Sequence, residues 1–188
     1  MSILSNLFKK KEESPEVLPR QSDLTLVAPL SGTVIPLTDV PDPVISERIM
    51  GEGLALIPDQ GSSQVLAPCE GIISRLLSSH NAFALKTPSG IELYLSFGLG
   101  LSNLTGQGFE SSREVGERVM AGDEVLKVDL GNLPEETRYT LLTMIVVRSS
   151  ADISKVSTVS GHLTGGQSEC VWVELKHEEK DKSKEKAV

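Results

Sequence analysis

The sequence has 188 residues, 39% of them hydrophobic and 23% charged, with a formal net charge of -8. These values predict one globular domain of about 150 residues with tails, long enough to form a core without disulfides. The acidic balance argues against a nucleic-acid-binding protein, because phosphate contacts require clustered Lys and Arg. Cys69 and Cys170 show neither a disulfide framework nor metal-ligand spacing. With no secretory signal and no run of about 18 apolar residues, we expect a reducing, cytoplasmic setting.

The chain ahead of Leu24 divides into two parts. Residues 1–11 carry apolar side chains at helical spacing, followed by three lysines. The apolar positions are Ile3, Leu4, Leu7 and Phe8. This pattern is typical of a segment that lies on an anionic membrane surface, but a solvated terminus with a chance stripe explains it equally well. Residues 12–23 are polar and contain Pro15 and Pro19, so we interpret them as a linker.

The motif Ala-Pro-x-x-Gly occurs twice, at residues 28–32 and at residues 67–71. Each copy lies between two strand-like segments. Pro presets φ and Gly permits the positive φ that a tight turn requires, so each copy is predicted to be a tight turn. The repetition predicts two related β-units in one sandwich or barrel. The flanking segments are Leu24–Val27, Thr33–Leu37, Val65–Leu66 and Ile72–Leu77.

Two strand-like segments in the middle of the chain carry the candidate site. They are Ser79–Leu85 and Ile91–Leu95, joined by the turn-like run KTPSG. The second segment leads directly into Ser96. If the two strands pair, Asn81 and Ser96 are expected to share one shallow surface.

The rest of the chain also indicates strands. The Gly122-Asp123 pair, within the alternating run Val115–Leu130, predicts a hairpin. Leu141–Val147 is β-branched and apolar and predicts a buried strand, and another strand is expected at Leu54–Ile57. Val156–Leu175 predicts a last hairpin with glycines at its turns.

Helices are expected to be few and short. Asp42–Met50 has room for one or two helical turns, and Asn132 is a candidate N-cap with Pro134 in the first turn. Residues 176–188 are dominated by Lys and Glu and are expected to be a disordered charged tail. The domain is therefore expected to span residues 24–175, as an all-β, antiparallel sandwich or barrel of many short strands with two or three short helices.

These stretches resemble, in order and with few gaps, the glucose-type enzyme IIA domain of the bacterial phosphoenolpyruvate:sugar phosphotransferase system. The resemblance implies an antiparallel β-sandwich with a shallow active face. It implies two partners, the phosphocarrier protein HPr as phosphoryl donor and a sugar permease IIB domain as acceptor. Some members also touch the inner face of the membrane through an amphipathic N-terminal segment. The resemblance rests on LVAPL at 26–30, VPD at 40–42, GEGLA at 51–55, and residues 65–71, 81–83 and 90–104.

The resemblance implies two histidines at the active face, and neither is present. The position before the Ala-Phe pair holds Asn81, and the position before the Phe-Gly pair holds Ser96. Nearby, Gly100 stands where the family has Asp, and Leu101 where it has Thr. The family's zinc site is lost with the imidazoles, since Asn and Ser are weak zinc ligands. We therefore expect no metal and no cofactor.

Other positions of this face are retained. Ser79 keeps the hydroxyl that precedes the first histidine position by two places. Partner contact is expected from two acidic residues, an apolar rim and the Phe-Gly pair. Such a docking surface does not depend on a phosphoacceptor, because docking depends on burial and shape. The residues are Asp42, Glu47, Ile45, Leu77, Phe83, Tyr94, Phe97 and Gly98.

Phosphoryl relay requires a nucleophile that attacks phosphorus and leaves again easily, which neutral imidazole does well near pH 7. His80 is the candidate replacement, although on a regular strand it points away from the face of Asn81 unless a bulge shifts it. His162 and His177 are interpreted as surface residues. Three interpretations remain: a binding or regulatory module without phosphate, an active phosphocarrier that uses His80, and a structural or membrane-localised protein that uses residues 1–11.

Overall fold

The computed structural model describes residues 22–99, 108–129, 133, 141–148 and 150–176. Several predictions therefore concern segments outside the described residues. These are the amphipathic segment at 1–11, nearly all of the linker, the helix after Asn132, the departures at Gly100 and Leu101, His177, and the charged tail.

Strand is the main regular structure of the described chain. Fourteen strands, β1 to β14, account for about half of it. The predicted helical turn within Asp42–Met50 is confirmed as α1, Pro43–Ser46, and a 3-10 helix, Leu37–Asp39, precedes it. No helix among the described residues is long and apolar enough to cross a membrane. The strands are β1 Leu24–Val27, β2 Gly32–Pro36, β3 Gly51–Pro58, β4 Gln64–Leu66, β5 Gly71–Leu76, β6 Ala82–Lys86, β7 Glu92–Phe97, β8 Phe109–Glu110, β9 Arg118–Val119, β10 Glu124–Val128, β11 Thr143–Arg148, β12 Ile153–Thr158, β13 His162–Leu163 and β14 Glu169–Leu175.

The strands form one large sheet and two small sheets with a repeated topology. The large sheet has the order β13-β2-β3-β11-β7-β6-β5-β9, and the small sheets have the orders β1-β14-β12 and β4-β10-β8. Strands β4 to β10, taken in chain order, occupy positions equivalent to those of β1 to β3 followed by β11 to β14. The second unit is thus inserted between β3 and β11 of the first. All strand pairs are antiparallel, so the predicted all-β fold class is confirmed.

The two Ala-Pro-x-x-Gly turns bind each other through a reciprocal pair of hydrogen bonds. The amide of Val27 donates to the carbonyl of Pro68 at 2.8 Å, and the amide of Leu66 donates to the carbonyl of Pro29 at 2.8 Å. Because each turn satisfies a backbone donor of the other unit, the turns join the two units at their equivalent points. The two related β-units predicted from the repeated motif are therefore confirmed.

The hairpin predicted at Gly122-Asp123 is wrong. Strand β9 pairs with β5 in the large sheet, whereas β10 pairs with β4 and β8 in a small sheet. The turn crosses between sheets because the amide of Gly122 donates to the carbonyl of Ala67 at 2.9 Å, and Asp123 closes the turn through the amide of Met120 at 2.9 Å. The last hairpin is confirmed, since β12 pairs with β14, although β13 leaves it to pair with β2.

Two apolar clusters cover the two faces of the large sheet. The main cluster joins its inner face to the small sheets, and a second cluster lies on its outer face beneath α1. Strand β11 contributes to both, with Ile145 and Val147 inside and Met144 and Val146 outside. Burial on both faces explains why Leu141–Val147 is apolar without alternation. The buried members of the second cluster are Leu37, Val40, Ile45, Ala55, Met144 and Val146.

Phe83 and Phe97 belong to the main cluster and not to an accessible rim. Phe83 is 0% exposed and pairs across β6 and β7 with Leu95, which is also 0% exposed. Phe97 is 1% exposed, and its ring meets that of Phe109 edge to face at 5.9 Å. The prediction that these aromatic side chains line a docking surface is wrong, because the strand register turns both toward the interior.

Both cysteine thiols are buried in the main cluster. Burial raises the pKa of Cys69 to about 12, and the neighbouring Glu70 carboxylate acts in the same direction. Burial likewise raises the pKa of Cys170 to about 12, partly opposed by a backbone hydrogen bond from Val171. Because these thiols stay protonated near neutral pH, we interpret both cysteines as structural residues of the core.

We predict that Phe83→Ala lowers the free energy of unfolding by about 3–5 kcal/mol, because it removes a fully buried aromatic ring and leaves a cavity. Ile72, which is 50% exposed, is the control, and Ile72→Ala is expected to cost less than about 1 kcal/mol. Urea unfolding of the two variants measures the difference. Similar costs for both would show that Phe83 does not lie in the core.

We predict that a thiol-specific chromogenic reagent at pH 8 modifies the folded protein very slowly. A thiol with a pKa of about 12 is ionised to only about one part in ten thousand at that pH, and the thiolate is the reacting species. In guanidinium chloride both thiols are exposed, their pKa values fall to the ordinary range, and both should react promptly. Rapid modification of folded protein at either thiol would contradict the burial described.

Candidate functional site

A tight turn, and not a strand, carries Asn81. The strand predicted at Ser79–Leu85 begins only at Ala82. His80 has a φ of +53°, a left-handed conformation, and its amide donates to the carbonyl of Leu77 at 2.9 Å. A non-glycine residue in this conformation costs roughly 1–2 kcal/mol, so the surrounding contacts must hold the turn in place.

Hydrogen bonds inside the protein engage the side-chain amide of Asn81 at both ends. The hydroxyl of Ser79 donates to Oδ1 of Asn81 at 2.6 Å, and Nδ2 of Asn81 donates to the carbonyl of Phe97 at 3.2 Å. The backbone carbonyl of Asn81 also accepts from the amide of Phe97 at 2.8 Å. With 4% of the residue exposed, the amide serves to join the turn to the end of β7.

Ser96 lies on the outer face of the large sheet, directly opposite Ala82 on β6 and Met144 on β11. It is 3% exposed, and its hydroxyl has no hydrogen-bond partner in the described part of the chain. Asn81 is bonded to Phe97 rather than to Ser96. Both side chains are covered, and Asn81 lies one residue before Ala82, which pairs with Ser96. That Asn81 and Ser96 share one surface stays a prediction.

His80 occupies the turn without reaching the Asn81 position. The β6–β7 register is regular from Ala82 to Lys86, so the bulge that would move His80 is absent from this pair. The other histidine in the described residues, His162, begins β13, and its Nε2 lies 2.9 Å from a carboxylate oxygen of Asp59. Neither histidine forms a hydrogen bond with the hydroxyl of Ser96.

The acidic rim residues differ in their accessibility. The carboxylate of Asp42 accepts hydrogen bonds from the amides of Val44 at 2.8 Å and Ile45 at 3.3 Å, which makes it the N-cap of α1. Glu47 lies exposed at the other end of α1. Asp42 therefore orients the helix, whereas the carboxylate of Glu47 is accessible to a partner.

The apolar rim is smaller than predicted. Ile45 is 5% exposed and packs in the second cluster, so it supports the face from beneath. Gly98 is buried, has a φ of +78°, and donates its amide to the carbonyl of Leu142 at 2.8 Å. Leu77 and Tyr94 are half-buried and remain at the surface. Phe83 and Phe97 lie in the main core.

A groove of about 530 Å³ opens beside this rim, on the outer face of the large sheet. Its floor is formed by Ala84 and Tyr94, which lie directly opposite each other on β6 and β7. Burial raises the pKa of Tyr94; the charge of Arg75 opposes that shift and the charge of Asp42 adds to it. The phenol therefore stays protonated at neutral pH and remains a hydrogen-bond donor.

Sequence reasoning identified Tyr94 but missed the charged wall of the groove. Arg75 follows a register shift in β5, and Arg148 ends β11 one residue beyond the predicted strand. The signal in the sequence that could have identified these arginines was a basic residue within an apolar strand or directly after one. In the described residues, no group of three or more His, Cys, Asp or Glu side chains is arranged to hold a metal ion.

Comparison with known proteins gives consistent results. The family model described as phosphoenolpyruvate-dependent sugar phosphotransferase system, EIIA 1, matches residues 24–153. A glucose-specific EIIA component of Borreliella burgdorferi is 35% identical over 144 residues, covering 77% of this chain and 75% of that protein. The glucose-specific EIIA component of Haemophilus influenzae is 32% identical over 168 residues, covering 89% of this chain and 96% of that protein.

A solved structure has the same fold. Glucose permease IIA from Mycoplasma capricolum superposes with a TM-score of 0.71 at 30% identity, covering 79% of this chain and 94% of that one. The family match spans more than half of the sequence, and the resemblance identified from the motifs is confirmed. The chain belongs to the EIIA 1 family of the phosphoenolpyruvate-dependent sugar phosphotransferase system.

Proposed function

We propose that this chain is a IIA-like protein of sugar transport and its regulation that does not carry phosphate and acts by binding other proteins. The observation that carries the proposal is the chemistry at the two expected histidine positions. Asn81 is an internally hydrogen-bonded amide, and Ser96 is a covered hydroxyl without a base.

Neither side chain can replace an imidazole in phosphoryl relay. The amide nitrogen of Asn81 is a poor nucleophile, and it already donates to the carbonyl of Phe97. The hydroxyl of Ser96 would require a general base within hydrogen-bond reach, and it has no hydrogen-bond partner in the described chain. At 3% exposure it is also poorly accessible to a donor protein. A phosphoserine, once formed, would be a poor phosphoryl donor to the next carrier.

A binding role is supported by what the face retains. Leu77 and Tyr94 are half-buried, and Glu47 is exposed at the C-terminal end of α1. Family members work with HPr and with permease IIB domains, so proteins of this kind are the partners we propose, in the cytoplasm. A contact of residues 1–11 with the inner face of the membrane remains part of the proposal, and it requires liposome binding to decrease when those residues are deleted.

We predict that incubation with phosphoenolpyruvate, enzyme I and HPr leaves the full-length protein without acid-labile radiolabelled phosphate. A histidine-containing IIA protein in a parallel reaction is the positive control. Label on the wild type that disappears in His80→Ala would contradict the proposal and favour a phosphocarrier that uses His80. Label that persists in that variant would contradict it as well, and Ser96→Ala would then test the hydroxyl.

We predict that the double variant Asn81→His/Ser96→His gains acid-labile label in the same assay. The two imidazoles would supply the nucleophile and its neighbour on the scaffold shared with the family. Ser79→Ala, added to the double variant, should leave the protein folded and lower the labelling rate, because its hydroxyl contacts the first of these positions. Circular dichroism checks the fold of each variant. A folded double variant without label would argue that HPr no longer docks here.

A further inference from the structure

The groove beside the rim is basic, in a protein that is acidic overall. Arg75 and Arg148 contribute two positive charges and Glu92 one negative charge, so its net charge is +1 whereas the chain carries -8. Arg75 is exposed, and no ion pair or hydrogen bond joins its guanidinium to another residue in the described part of the chain. A local field opposite in sign to the rest of the surface attracts a partner segment of negative charge.

The second guanidinium is also available to a ligand. Arg148 pairs with Glu92 across the sheet, with 57% and 39% of their side chains exposed. An exposed pair of this kind contributes at most about 1 kcal/mol, so an incoming carboxylate can replace Glu92 at little cost. Guanidinium binds carboxylate through two parallel hydrogen bonds, which gives direction as well as strength.

An apolar wall stands next to these charges. Ile49 is 64% exposed, and Met50 beside it packs against the second cluster. Ile49 follows Arg48, whose φ of +56° is left-handed, and the amide of Gly51 closes this turn on the carbonyl of Arg48 at 3.1 Å. Arg48 is thus the strained residue of a turn that keeps the large aliphatic side chain of Ile49 in solvent.

We propose that this groove binds an acidic segment of a partner protein, with one carboxylate at Arg75, another at Arg148, and an apolar side chain against Ile49 and Met50. The floor of Ala84 and Tyr94 leaves space for that side chain, and the phenol can donate to the segment's backbone. A small free anion would satisfy the guanidiniums but would leave Ile49 uncovered. The inference rests on the proposed function, since it names the chemistry of the partner taken by the same face.

The test is an NMR titration of the full-length, nitrogen-15-labelled protein with three short blocked peptides. The first is Glu-Leu-Asp-Phe-Glu, the second replaces its acidic residues with Lys, and the third replaces Leu and Phe with Gly. Only the first peptide should cause saturable chemical-shift changes in the amide signals of Ile49, Met50 and Tyr94, with a dissociation constant in the range of about 0.1–1 mM. Its affinity should fall as salt is raised, because the charges are exposed.

Matched variants locate the site. Arg75→Gln and Arg148→Gln should each weaken binding of the first peptide about tenfold, whereas Arg118→Gln, which removes an exposed guanidinium on β9, should change it less than about twofold. Ile49→Ser should weaken binding severalfold, and Ile57→Ser, at another exposed isoleucine, should not.

Three outcomes would overturn the inference: no saturable shifts at about 5 mM acidic peptide, stronger binding of the lysine peptide, or equal binding of the glycine peptide. Unchanged affinity in both arginine variants would do the same. The phosphorylation assay separates this result from the proposed function. If the protein gains acid-labile label and still binds the acidic peptide, only the proposal that it does not carry phosphate is overturned. If it gains no label and does not bind the peptide, only the proposal that the groove binds an acidic segment is overturned.

Discussion

The pairing of β7 with β11 at the centre of the large sheet is the constraint on which the rest of the structure depends. Strand β11 belongs to the first unit and β7 to the second, so their hydrogen bonds join the two halves of the chain. Their register sets Ser96 against Met144 and Tyr94 against Val146, on the outer face. A shift of one residue would exchange these side chains with Leu95 and Phe97 and turn two residues of the main cluster to the outer face.

The scaffold of the family's face does not depend on the imidazoles. The scaffold depends on the two apolar clusters and on the reciprocal hydrogen bonds between the turns, and none of these contacts involves the side chain of Asn81 or Ser96. Polar groups at these positions are tolerated for different reasons. Asn81 is satisfied by Ser79 and Phe97, whereas a hydroxyl as small as that of Ser96 costs only about 1–3 kcal/mol when it is left unpaired.

The electrostatics of the face change along its length. At the α1 end, Glu47 presents negative charge, and Asp42 uses its carboxylate to cap the helix. In the groove that begins at Ile49 and Met50, Arg75 and Arg148 give the lining a net positive charge. A partner that contacts both Glu47 and the groove would therefore need complementary charges of both signs, and such an arrangement fixes orientation and selects partners more than it adds affinity.

The sequence by itself determined the fold class, the family, the repeated turn and the identity of the residues at the two histidine positions. These features depend on neighbours in the chain: proline and glycine at a turn, alternation along a strand, and short motifs. Only the tertiary structure decided that Gly122-Asp123 joins two sheets, that Phe83 and Phe97 lie in the core, and that Arg75 and Arg148 line one groove. Strand partners distant in sequence, and one register shift in β5, set those positions. Such long-range choices follow from packing the whole core, and no local pattern contains them.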